Sequence, residues 1–177
     1  MTTAAPPLAR PLRRLYLVRF GFAVVWALLL ALTGSDLNPV SVGLLVLYPV
    51  FDVAAAVVDL RSSRTTTLVV NVVISALAAI GLAVAAASGV PAVLRVWGAW
   101  AIVSGLVQLV VGVGRRALGG QLPMMLAGGI SVLAGASFVA MAGADDPAVT
   151  GVAGYAAVGG VFFLVSALRL GRAAREA

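Results

Sequence analysis

The sequence predicts an all-α fold: a polytopic membrane bundle of six transmembrane helices arranged as three repeated hairpins. Composition is the first reason. Hydrophobic residues make up 62% of the 177 residues and charged residues only 10%, with mean hydropathy +1.12, far outside the range of soluble domains. The second reason is six apolar runs, each close to the ~20 residues that cross a ~30 Å hydrocarbon core. The third is the placement of arginine. Arg10, Arg13 and Arg14 precede the first run, Arg61 and Arg64 follow the second, Arg115 and Arg116 the fourth, and Arg169, Arg172 and Arg175 close the sixth. The alternate connections carry acid: Asp36 after the first run, and Asp145 and Asp146 after the fifth. Short basic loops stay in the cytoplasm, so both termini are expected inside, in an inner-membrane protein.

The spans are expected near 15–33, 39–59, 66–88, 91–113, 122–143 and 147–169. Pro39, Pro91 and Pro147 each stand at the start of a helix entering from outside, and Pro123 does so on the cytoplasmic side. First-turn N–H groups have no helical partner, so proline costs nothing there. Gly89 and Val90 alone join the third and fourth spans, which forces an antiparallel hairpin. Residues 1–14, Pro-rich and basic, read as a disordered tail, and 171–177 as a short basic C-terminal tail. With the first run, the N-terminal tail has the look of a signal peptide. Arg19 interrupts that run and five spans follow, so an uncleaved signal-anchor is expected. The Arg13-Arg14 pair reads as topological charge rather than a twin-arginine export signal.

The chain contains no histidine, no cysteine and no lysine. Disulfides, thiolate or imidazole metal sites and histidine acid–base catalysis are thereby excluded. No catalytic, cofactor-binding or metal-binding residues are assigned. The net charge of +6 comes from arginine alone. These arginines sit at helix ends, where they meet anionic headgroups, so the partner they imply is the lipid bilayer and not nucleic acid.

The even-numbered helices align on Tyr48-Pro49-Val50-Phe51-Asp52, Trp100-Ala101-Ile102-Val103-Ser104 and Tyr155-Ala156-Ala157-Val158-Gly159. The odd ones align more loosely on Arg19-Phe20-Gly21, Asn71-Val72-Val73 and Ala127-Gly128-Gly129. The unit is a hairpin of just over 50 residues, placed at about 15–64, 66–116 and 122–172 within a six-helix domain of 15–170. Such parallel repeats relate by an axis along the membrane normal.

Trp97-Gly98-Ala99-Trp100-Ala101-Ile102-Val103-Ser104-Gly105 resembles the aromatic-x-x-x-(Ser/Asp)-Gly signature of the HdeD-like short-repeat membrane proteins. Gly154-Tyr155 through Gly159-Gly160 to Ala167-Leu168-Arg169-Leu170, and Gly128 to Gly135, continue the likeness across residues 15–172. The first unit departs from it, with Asp52-Val53 where the second has Ser104-Gly105. The resemblance implies a six-helix inner-membrane protein associated with acid resistance, with no catalytic residues to carry across.

Any function must lie within the bundle, because no loop is long enough for a soluble site. An ionisable residue at membrane depth is a functional candidate by default. The candidate intramembrane polar cluster is Arg19, Asp52, Asn71, Ser104 and Gln108. Asp52 and Asp59 share a helix face about 10 Å apart, and Pro49 frees the carbonyl of Leu45 one turn earlier. The sharper reading is an inward-opening cavity with Asp52 as a proton or cation site. The simpler one is an Arg19–Asp52 ion pair that holds the first hairpin, with Asn71 and Gln108 as interhelical hydrogen-bond donors, and it is preferred because one acid and one base explain each other. Asp59 is expected to meet Arg61 and Arg64 as an interfacial counter-ion. Tyr16 and Trp97 are placed in the aromatic belts, and Arg95 is expected to reach toward Asp36 or the Asp145-Asp146 pair. Small-residue stripes at Ser75, Ala79, Ala83 and Ala87, and at Ala127, Ser131 and Gly135, suit close helix packing or an interface with another copy or another membrane protein. Two functions follow as expectations: a non-enzymatic protein of acid or envelope stress tolerance acting by assembly or partner contact, or a small proton, ion or solute channel or transporter using Asp52.

Overall fold

A computed structural model describes residues 8–176, with side chains through residue 173. Six helices follow in order: α1 (Ala9–Thr33), α2 (Pro39–Ser63), α3 (Thr66–Ala85), α4 (Val90–Gly114), α5 (Leu122–Met141) and α6 (Thr150–Glu176). Short 3-10 turns at Ala86–Ser88 and Arg116–Leu118 end α3 and α4, and there is no strand among the described residues. All six helices are long and apolar enough to cross a membrane. Leu32, Leu77, Ile80, Val84 and Leu133 are each more than 60% exposed. Only a lipid environment makes so many exposed aliphatic side chains favourable.

The helices form a closed ring in which each packs on its neighbours in sequence and α6 returns to α1. Contact is most extensive for α4–α5, α1–α6 and α2–α3, and sparser within α1–α2, α3–α4 and α5–α6. Two of the intimate pairs, α2–α3 and α4–α5, are joined through an arginine-bearing turn, and the third, α1–α6, brings together the first and last helices. Contacts at the arginine-bearing end confirm that it gathers on one side. Tyr16 reaches Gln121, Ser166 donates to the Gly120 carbonyl at 2.6 Å, and Asp59 meets Arg115.

Glycine explains the tightness of α4–α5. A Cβ on Gly98 would lie 2.5 Å from the Gly135 carbonyl oxygen, and one on Gly105 would lie 2.7 Å from that of Gly128. Gly98, Gly105 and Gly112, like Gly128 and Gly135, recur every seven residues. That spacing keeps one seam facing the partner helix, and bare backbones then approach closely.

Boundaries differ from the sequence reading in three places. Helix α1 begins at Ala9, so the part of the assigned 1–14 tail that lies within the described residues is largely helical. Ala9, Leu12 and Tyr16 form a buried stripe there while Arg10, Arg13 and Arg14 face outward, and residues 1–7 lie outside the described residues. At the other end α6 continues through the assigned 171–177 tail to Glu176, anchored by buried Ala167 and Leu170. Pro147 precedes α6, which starts at Thr150. Pro39, Pro91 and Pro123 do occupy first turns. Asn38 caps α2, its side chain accepting from the Val40 and Ser41 N–H groups while Ser41 Oγ accepts from the Asn38 N–H.

Candidate functional site: a polar centre between the helices

Arg19 and Asp52 form an ion pair between α1 and α2, with side chains only 18% and 11% exposed. Arg19 lies about 15 Å along α1 from Ala9 and about 21 Å from Thr33, while Asp52 lies about 20 Å and 17 Å from the ends of α2. Both are thus near mid-helix. Because α1 starts six residues before its expected position, Arg19 is deeper than the sequence reading placed it. Its guanidinium also packs over the Phe163 ring on α6, 4.8 Å from the centroid, a favourable cation–π contact in a desolvated setting.

Helix α3 completes the carboxylate's surroundings. Asn71 Nδ2 donates to Asp52 Oδ2 at 2.7 Å and Ser75 Oγ donates to the same oxygen at 2.8 Å. Trp100 on α4 donates its indole N–H to Ser75 Oγ at 3.0 Å. Four helices are tied through one carboxylate. A buried charge is tolerated when it is paired and its lone pairs are hydrogen-bonded, and Asp52 meets both conditions.

A second ion pair lies two turns along α2. Arg115, at the C-terminal cap of α4, makes two parallel hydrogen bonds of 2.8 Å to the Asp59 carboxylate and a third, at 2.5 Å, to Ser63 Oγ. Asp59 therefore pairs with Arg115, and not with Arg61 or Arg64, both of which are exposed. Burial alone would lower the Arg115 pKa, but the Asp59 hydrogen bonds and charge outweigh it and hold the guanidinium above its ordinary value. Fork-to-carboxylate geometry makes this the stronger type of ion pair.

Between the two pairs lies a cavity of about 100 Å³. The aligned aromatics Tyr48, Trp100 and Tyr155 all line it, as do the aligned Asp52, Ser104 and Gly159. The third aligned set, Arg19, Asn71 and Ala127, lines it too. Of the candidate cluster, Arg19, Asp52 and Asn71 are joined directly. Ser104 and Gln108 face the same cavity without touching that network. Ser104 Oγ makes only a marginal 3.5 Å contact with the Ala101 carbonyl of its own helix, while Gln108 Nε2 donates across to the Met124 carbonyl of α5 at 3.0 Å.

Several participants were not assigned to the centre from sequence. The sequence places Ser75 in a small-residue packing stripe, and its i,i+4 spacing from Asn71 is the signal that points to the centre instead. Arg115 carried only a topological signal. Tyr16 and Trp97 are not belt residues. Tyr16 is buried at the cavity, and Trp97, fully buried, stacks on Trp26 with centroids 5.6 Å apart. The Trp97 indole N–H has no hydrogen-bond partner among the described residues. Arg95 is exposed and makes no ion pair among the described residues. No protein-family model, curated protein or solved structure matches the chain.

Proposed function

We propose that the chain is a non-enzymatic, multi-pass protein of the inner membrane with both ends cytoplasmic, HdeD-like, which contributes to acid or envelope stress tolerance through assembly or partner contact. The observation that carries the non-transport part of this reading is the occupancy of Asp52. Its carboxylate is filled by Arg19, Asn71 and Ser75, so it holds helices together and presents no open relay. Proton pathways need a succession of exchangeable acids. Here the other acid at the cavity, Asp59, is held bidentately by Arg115. The stress role rests on the sequence likeness alone. Deletion should lower survival of acid challenge in at least one growth phase, and unchanged survival across all phases would remove that role.

The convergence of three aligned sets on one cavity supports a threefold arrangement of related hairpins about an axis through it. The first unit carries the charged pair, the second Asn71 and Ser104, and the third Ala127 and Gly159.

The cavity favours a second reading, a small channel or transporter. Reconstituted vesicles separate the two. The structural reading predicts no proton or ion flux above that of empty vesicles from a folded protein. Flux that disappears in Asp52→Asn would establish transport instead.

A further inference from the structure

We infer that the central cavity is a binding site for a small neutral carbonyl solute of the urea or simple amide type. The site would exist whether or not the bundle conducts, so this inference goes beyond the stress-tolerance reading and does not depend on it.

Size comes first. A dry cavity of ~150 Å³ accommodates benzene, so one of about 100 Å³ has room for roughly four heavy atoms. Charge comes next. The ionised side chains around the cavity are matched one to one, Arg19 with Asp52 and Arg115 with Asp59. A cationic guest would face two guanidiniums whose carboxylates are already engaged. An anionic guest would leave an uncompensated charge near mid-helix depth, where desolvation is most costly. A neutral guest incurs neither penalty.

The uncommitted hydrogen-bonding groups narrow the chemistry. Arg19 pairs with Asp52, and its guanidinium carries five N–H donors, more than one carboxylate takes up. Tyr48 lines the cavity, and its hydroxyl makes no hydrogen bond among the described residues. Gln108 uses its Nε2 on the Met124 carbonyl, so Oε1 is left as an acceptor. Guanidinium and phenol donors suit a carbonyl oxygen, and a carboxamide oxygen suits an amide N–H. Phe51 and Trp100 supply flat walls against which a planar molecule packs.

Three planar probes of four heavy atoms each differ in charge and in hydrogen-bonding groups: urea is neutral with a carbonyl acceptor and N–H donors, acetate is an anion with acceptors only, and guanidinium is a cation with donors only. The full chain in lipid nanodiscs would be titrated with each, and with acetamide, at constant ionic strength and below denaturing concentrations. Tryptophan fluorescence is the readout, since Trp100 lines the cavity. Urea or acetamide should give a saturable change with a Kd of about 1 mM, as suits so few atoms, and the two ions should bind at least tenfold more weakly. Tyr48→Phe removes a hydroxyl that bonds to nothing among the described residues and should weaken the neutral probes about tenfold. Gly159→Ala should weaken their binding at least tenfold, because Gly159 lines the cavity and a Cβ there meets nothing within 4 Å, so the added methyl takes up guest space without a clash. Both variants should elute as folded protein. The inference is overturned if no probe saturates, if either ion binds as tightly as urea, or if neutral binding is unaltered in both variants.

Discussion

At the scale of single residues, Asp52 is the group on which the molecule's polar interior converges. A carboxylate that accepts from Arg19, Asn71 and Ser75 has little to gain from water and much to lose from a missing partner. Net stabilisation by a buried pair is small, since desolvation offsets most of the Coulomb gain, but stranding one member is costly. Asp52→Asn should therefore destabilise the protein by on the order of 3 kcal/mol, measured as a shifted unfolding transition in mixed micelles. Ser75→Ala breaks one bond to Asp52 and also strands the Trp100 indole N–H. It should cost about 1 to 2 kcal/mol. A loss from Ser75→Ala larger than that from Asp52→Asn would reverse the ranking. Much of this centre was legible in the sequence because a lone acid and a lone base in apolar runs must find each other. Ser75 and Trp100 were not, since serine and tryptophan are common in such runs and nothing local marks their direction.

At the scale of helices, the seam between α4 and α5 depends on an absence of side chains. With the Gly128 carbonyl 2.7 Å from where a Gly105 Cβ would stand, Gly105→Val must separate the helices. Overpacking of this kind costs about 1 to 3 kcal/mol, and less protein should be recovered in the folded state. Gly129→Ala, one position from the seam, meets nothing within 4 Å and should be neutral or slightly stabilising. The Asp59–Arg115 latch is also an element-level contact, joining the C-terminal end of α2 to the cap of α4. The Arg115 pKa is raised in the folded state, so its contribution is fully present below the ordinary guanidinium value and falls only as pH rises through the raised one. Arg115→Gln should accordingly lower the melting temperature by the same amount at pH 7 and pH 10, and a difference that narrows by pH 10 would contradict this. The sevenfold glycine spacing was present in the sequence. It reads as a packing seam only once the partner stripe on α5 is known, and helix-pair registry is set by three-dimensional contact.

For the whole molecule, six spans and their alternation were legible because bilayer thickness fixes helix length and arginine marks one end. Which helices pack most intimately was not legible, since short turns bring neighbours close without specifying how much surface they share. The exact ends were not legible either, because outward-facing arginines in the first turns of α1 masked the buried Ala9, Leu12 and Tyr16 stripe. Orientation is open to a clean test in a chain with no native cysteine. A cysteine replacing exposed Asp145 should react with a membrane-impermeant maleimide in intact cells, and one replacing exposed Arg116 should react only after lysis. The opposite labelling would invert the topology.

The Arg19–Asp52 pair holds the ring of helices together. A double-mutant cycle on Arg19→Gln and Asp52→Asn, read by reversible unfolding, measures that coupling. Each single change should be strongly destabilising and the double mutant should lose clearly less than their sum, with a coupling of about 1 to 3 kcal/mol. Losses that add to within about 0.5 kcal/mol would mean that the two side chains do not act as a pair.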